Sequence, residues 1–112
     1  MRTVTLGIAS RADTKRRMAA AFAGEAQGAF ISFASVDLLW RVLSARRWDI
    51  IQAVAGQGEL SIREVARRVG RDVKAVHGDV TALLDAGVLD RTAQGVVFPY
   101  DAVHVDFTLR AA

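Results

Sequence analysis

The chain has 112 residues, 52% of them hydrophobic and 24% charged, with a net charge of +3. That is enough for one domain with a modest core, and too apolar for a disordered segment. It contains no cysteine, which excludes a disulfide framework, a cysteine-based zinc finger and thiol chemistry, and no apolar run approaches the roughly 20 residues of a membrane span.

The opening, MRTVTLGIAS, has one arginine and few apolar residues, too few for a signal peptide. The expectation is a cytoplasmic protein without a membrane partner. Thr3 to Ile8 alternates polar and apolar, with Val4, Leu6 and Ile8 on one side, which predicts a short strand. Asp13 then caps a helix running through Glu25, with Met18, Ala21 and Phe22 as its apolar stripe. Lys15, Arg16 and Arg17 lie near its start, where positive charge opposes the helix dipole. A solvated face explains them. The sharper reading is a phosphate contact from one edge of a dimer.

Gly28 ends this region and Ala29 to Ala34 reads as a second strand. Ser35 caps a strongly apolar element, Val36 to Leu43. Ser44 caps a helix over Ala45 to Ala55 whose stripe is Trp48, Ile51 and Ala55. Arg46 and Arg47 at its start either touch a nucleic-acid backbone or are solvated. Trp40 and Trp48 read as core or interface anchors, because base stacking needs several exposed aromatics beside basic residues. Gly56-Gln57-Gly58 is a turn. It neither follows a strand nor opens a phosphate loop, so it is no nucleotide site. Glu59-Leu60 forms a short bridge.

Ser61 to Leu84 then predicts two helices joined by a tight turn. Ser61-Ile62-Arg63-Glu64 is a capping box, in which Ser61 accepts from the Glu64 N–H and Glu64 reaches back to the Ser61 N–H. Ile62, Val65, Ala66 and Val69 share one helical face. Gly70 fits the left-handed position that ends a helix, and Asp72 caps the next. In that second helix Val73, Val76, Val80, Leu83 and Leu84 form the buried stripe. Lys74, His77, Gly78, Thr81 and Asp85 fall opposite. Helix, short glycine-containing turn and helix is the helix-turn-helix pattern, whose second helix enters the DNA major groove.

Gly87 ends the second helix. Val88 to Thr92 and Val96 to Phe98, about the turn at Ala93-Gln94-Gly95, predict a hairpin, and Pro99 stops it. A hairpin directly after a helix-turn-helix is a wing. Val103, Val105, Phe107 and Leu109 alternate with polar residues as a half-buried strand. Charge is divided along this half. Glu59 to Lys74 holds five basic and three acidic residues, whereas Asp79 to Asp106 holds five acidic residues and only Arg91. Such a split orients a protein on DNA.

From Leu39 to Leu109 the chain resembles a family of small prokaryotic predicted regulators with a winged helix-turn-helix, described as MarR-like, several of them assigned as antitoxins. The phrases LSIREVARRVGRDVKAVHGDVTALLDAGVLD and VVFPYDAVHVDF carry the resemblance. It implies a dimeric DNA-binding regulator that represses its own operon, and for the antitoxins a cognate toxin protein as partner. Carried over by position, the reading helix presents Lys74 and His77, with Arg71 at its entrance. The chain departs from the family at Gly78, where a basic residue is frequent.

The expected interface with double-stranded DNA comprises Arg63, Arg67, Arg71, Lys74, His77, Gly78, Thr81, Arg91 and Gln94. Lys74 is the foremost, since the first turn of a reading helix reaches bases and lysine pairs with guanine O6 or N7. Arg71 suits phosphate. Arg63 and Arg67 stand at i and i+4 on the first helix, and one of the two is plainly solvated in the bland reading. His77 is a surface histidine or a DNA contact. Gly78 costs a helix about 1 kcal/mol relative to Ala, through drift on an exposed face or for close approach to DNA. Arg91 and Gln94 are the polar residues of the wing. No second ligand accompanies His77 or His104 at metal spacing, and no catalytic constellation is present, so neither enzyme, metal nor cofactor is expected.

The expected fold class is α/β, mainly α: a winged helix-turn-helix with an additional N-terminal strand-helix-strand and a C-terminal strand. Residues 1–44 form an extension for dimerisation, 45–100 the DNA-binding domain and 101–112 a strand for dimer or core pairing. Strands 3–8 and 103–109 are expected to pair or pack across a two-fold homodimer. The competing function is a winged-helix docking module for a protein partner, without specific DNA binding.

Overall fold

A computed structural model describes residues 2–8, 29–109 and 111. The expected helix from Asp13 to Glu25, with Lys15, Arg16 and Arg17, lies outside them. The described residues form a small α/β domain of four helices and two sheets. In chain order they are β1 (Thr3–Ile8), β2 (Ala29–Phe33), α1 (Val36–Val42), α2 (Ala45–Val54), α3 (Ile62–Val69), α4 (Val73–Asp85), β3 (Asp90–Arg91), β4 (Val96–Val97) and β5 (Ala102–Asp106).

The alternation of β1 places Val4 and Leu6 in the core, both 0% exposed. β1 is the central strand of a three-stranded parallel sheet in the order β2-β1-β5. Val4 stands opposite Ala29 on one side and Val103 on the other. This corrects the expectation of pairing across a dimer for residues 3–8: both hydrogen-bonding edges of β1 are filled within the chain. The last strand also stops earlier than its alternation implies. Gly7 pairs with Asp106, and only Ile8 remains beyond it. β5 runs out of partner, and Leu109 is 91% exposed.

Arg2 fastens the start of β1 to the start of β5. Its N–H donates to the Asp101 carboxylate at 2.6 Å, its carbonyl accepts from the Asp101 N–H at 2.7 Å, and its guanidinium lies 4.8 Å from the Tyr100 ring centre.

Each helix starts on the expected cap. Ser35, Ser44 and Ser61 accept from the N–H groups of Leu38, Arg47 and Glu64, and Asp72 accepts from that of Lys74. Gly70 ends α3 at φ 67°, the left-handed region where a Cβ is disfavoured. Three details differ from the sequence pattern. The core residues of α2 are Ile50, Ile51 and Val54, while Trp48 and Ala55 are half-buried at its flank. Val73 is 43% exposed and Leu84 half-buried, the two ends of the apolar stripe of α4, whose buried residues are Val76, Val80 and Leu83. Only one arm of the capping box at Ser61 forms, since the Glu64 carboxylate is taken by Arg67 and Arg68.

β3 and β4 pair antiparallel, Asp90 with Val97 and Arg91 with Val96. Leu60 bridges to Val96 through two hydrogen bonds of 2.9 and 2.8 Å. A Cβ on Gly95 would lie 2.0 Å from the Leu60 carbonyl oxygen, so only glycine lets the hairpin close against the chain that enters α3. One cluster of buried apolar residues joins β1, β2, all four helices and the hairpin.

Candidate nucleic-acid interface

The polar stripe of α4 begins at the capped N-terminus. Lys74, His77 and Gly78 are exposed, and among the described residues no ion pair or side-chain hydrogen bond occupies Lys74 or His77. A Cβ placed on Gly78 would meet nothing within 4 Å. Thr81 is half-buried, and its hydroxyl donates to the His77 carbonyl at 2.8 Å. That bond ties Thr81 to its own helix.

The basic residues around α3 are largely committed to carboxylates. Arg67 grips Glu64 with two nitrogens, Nε at 2.9 Å and Nη2 on Oε1. Arg68 donates to the same carboxylate from Nε at 3.1 Å and to the Gln57 side-chain oxygen from Nη1 at 2.8 Å. The hydrogen bonds from Arg67 and Arg68 hold the Glu64 carboxyl down at about 2, and the same contact raises Arg67. Arg63 is exposed and makes no ion pair among the described residues.

Arg71, expected at phosphate, turns inward instead. Its Nη1 lies 2.9 Å from Asp79 Oδ2, with both side chains 18% exposed. The contact is charge against charge rather than an aligned hydrogen bond, because Arg71 Nε and Nη1 are shielded from solvent without an aligned acceptor. Arg47 completes the group, donating from Nε to Asp79 Oδ1 at 3.0 Å and from Nη1 to the Arg41 carbonyl at 2.8 Å. Burial pushes the Asp79 carboxyl up, but the close guanidinium contacts and charges of Arg47 and Arg71 outweigh it, and the net shift is down. This cluster joins the start of α2, the turn before α4 and the middle of α4.

The sequence pattern counted Asp79 in the acidic stretch from Asp79 to Asp106 and left Arg47 as backbone contact or solvated. A signal for their pairing was present. Asp79 sits between Val76 and Val80, both on the buried stripe, and a carboxylate flanking a core stripe requires a cation.

Arg91 and Gln94 are exposed on the hairpin. The Gln94 N–H donates to the Glu59 carboxylate at 3.3 Å, and the Thr92 hydroxyl accepts from the Gly95 N–H at 3.0 Å. Among the described residues no group of three or more His, Cys, Asp or Glu side chains is placed to hold a metal ion, and no helix is long and apolar enough to cross a membrane.

The HVO_A0114 family matches residues 42–105, which is 64 of the 112 residues. The chain belongs to the HVO_A0114 family. No curated protein and no solved structure matches it. The HVO_A0114 segment starts at the end of α1 and ends inside β5. It therefore holds the whole of α2, α3, α4 and the hairpin, with every expected interface residue. Its last strand, however, hydrogen-bonds to β1, which lies outside the matched residues. The N-terminal strand completes the sheet of the HVO_A0114 unit in this chain.

Proposed function

We propose that this chain is a sequence-specific double-stranded DNA-binding regulator that represses its own operon, and that α2, α3, α4 and the β3–β4 hairpin act as a winged helix-turn-helix. The observation that carries this reading is the free polar stripe at the capped start of α4. Among the described residues Lys74 and His77 have no side-chain partner, and the surface at Gly78 is open to close approach. In this reading α4 lies in the major groove with Lys74 directed at guanine O6 or N7. Arg63 on α3 and Arg91 on the hairpin meet phosphates on either side.

The ion pairs limit how strong the electrostatic attraction is. With Arg67, Arg68 and Arg71 held by carboxylates, Arg63, Lys74 and Arg91 are the uncommitted cations of this face among the described residues. With Lys74 on a base, the two phosphate contacts of Arg63 and Arg91 per copy give a slope of log affinity against log salt of about −1.8.

Fluorescence anisotropy with duplex DNA from immediately upstream of the gene, beside a scrambled duplex, tests the proposal. Tight binding to the native duplex alone, weakened by salt and by Lys74→Ala, is the expected result. Equal weak binding to both duplexes overturns it. The commitment of the α3 arginines to Glu64 favours one second reading, a docking module for a protein partner, and that outcome would select it.

A further inference from the structure

We propose that two copies of the chain join through the outer edge of β5, antiparallel about a two-fold axis centred on Val105. The shared sheet would hold six strands. This does not depend on what α4 binds.

Among the described residues β5 has one strand neighbour, β1, so its other edge carries unpaired backbone donors and acceptors. Such an edge is a template for another strand. The two faces of β5 differ. His104 and Asp106 are exposed on one face. On the other, Val105 lines an apolar cavity of about 580 Å³ with Trp40, Leu43, Ser44, Ala45 and Trp48. Phe107 extends that face and meets the Trp40 ring edge-on at 5.6 Å between centroids. Trp40 is 52% exposed and Phe107 36%. A strand edge of five residues falls short of the roughly 800 Å² per partner of a standard interface, and this aromatic face beside it supplies further apolar area.

Chemistry selects both the occupant and the register. Opposed residues in an antiparallel pair share a face, and a two-fold axis normal to the sheet keeps faces unchanged, so the axis must pass through a residue position. Centred on His104, two imidazoles oppose each other. Centred on Asp106, two carboxylates do. Centred on Val105, each His104 faces the Asp106 of the second copy, each Val103 faces a Phe107, and Val105 faces itself. That register alone sets an imidazole against a carboxylate twice while placing Val103, Val105 and Phe107 against one another. A second copy of β5 is thus its own complement.

Sedimentation equilibrium of the full chain tests this, with circular dichroism confirming that each variant is folded. The wild type is expected to be a dimer in the micromolar range. His104→Asp opposes carboxylates at both pairs and should weaken dimerisation about tenfold. The double swap His104→Asp with Asp106→His exchanges the partners and should restore it. Trp40→Lys should weaken it without affecting the swap. A monomeric wild type overturns the proposal, even if an apolar dye fills the Trp40–Trp48 cavity. So does a dimer that ignores His104→Asp, or a swap that fails to rescue a folded variant.

Discussion

Asp79 receives Arg47 on one carboxylate oxygen at 3.0 Å and Arg71 on the other at 2.9 Å. The second contact fixes the turn that aims α4. Arg71 closes the α3–α4 connection, and Asp79 lies two turns along the helix that follows. The carboxylate therefore ties the entrance of α4 to its own middle and, through Arg47, to α2.

Asp79→Asn should remove both ion pairs while leaving two shielded guanidiniums behind. Breaking one side of such a group costs more than its net contribution, because the remaining charges lose their compensation. The cluster lies near the surface, so a loss of about 1–3 kcal/mol in urea unfolding is expected. Arg71→Ala should also lower stability, whereas Lys74→Ala should leave the unfolding midpoint within about 0.5 kcal/mol of wild type. Equal midpoints for all three variants would show that the cluster holds nothing.

Acid should destabilise the fold through two named carboxylates. Glu64 is lowered from 4.5 to about 2, and Asp79 is lowered as well. A carboxylate that is more acidic when folded stabilises the fold above its unfolded value. That contribution is lost as pH falls from the ordinary carboxylate range towards 2. Thermal melts between pH 7 and pH 2 should show a falling midpoint over this window. Asp79→Asn should flatten the curve more than Glu64→Gln, since the Glu64 pair is exposed and screened.

Two glycines should respond in opposite directions. Gly95→Ala drives a Cβ into the Leu60 carbonyl and should open the Leu60–Val96 bridge. A loss of about 2 kcal/mol, with faster amide exchange at Leu60 and Val96, is expected. Gly78→Ala meets open space in the middle of α4 and should raise stability by about 1 kcal/mol. A destabilised Gly78→Ala would mean that α4 is not a plain solvent-facing helix there.

Glu64→Gln should release Arg67 and Arg68 from α3. If α3 faces a phosphate backbone, each freed arginine that gains a phosphate steepens the salt slope by about 0.9. Anisotropy titrations at several salt concentrations measure it. An unchanged slope would place those arginines away from DNA.

The local signals were legible because each needs only neighbours in the chain. Ser35, Ser44, Ser61 and Asp72 cap their helices through N–H groups two or three residues away. Gly70 turns left-handed at the end of an apolar period, and β1 follows its own alternation. The exposure of Lys74 and His77 follows from the same helical periodicity that buries Val76 and Val80. Fates that depend on distant partners were not legible. Charge counting treated Arg67, Arg68 and Arg71 as one basic footprint, although their free charge depends on where Glu64 and Asp79 point.

By itself, the sequence determined where elements begin, which face of each is apolar, and which residues stand on the polar stripe of α4. Capping, chirality and periodicity act over a few residues, and no fold is needed to apply them. Only the tertiary structure decided that β1 takes β5 of its own chain as a neighbour, that Arg47 and Arg71 meet on Asp79, and that β5 has no second strand neighbour among the described residues. These are contacts between residues 32 positions apart for Asp79 with Arg47 and 99 apart for Thr3 with Ala102, or nearer ones such as Arg71 with Asp79 whose direction the core sets. Their formation depends on the packed core that brings the elements together, which local pattern does not encode.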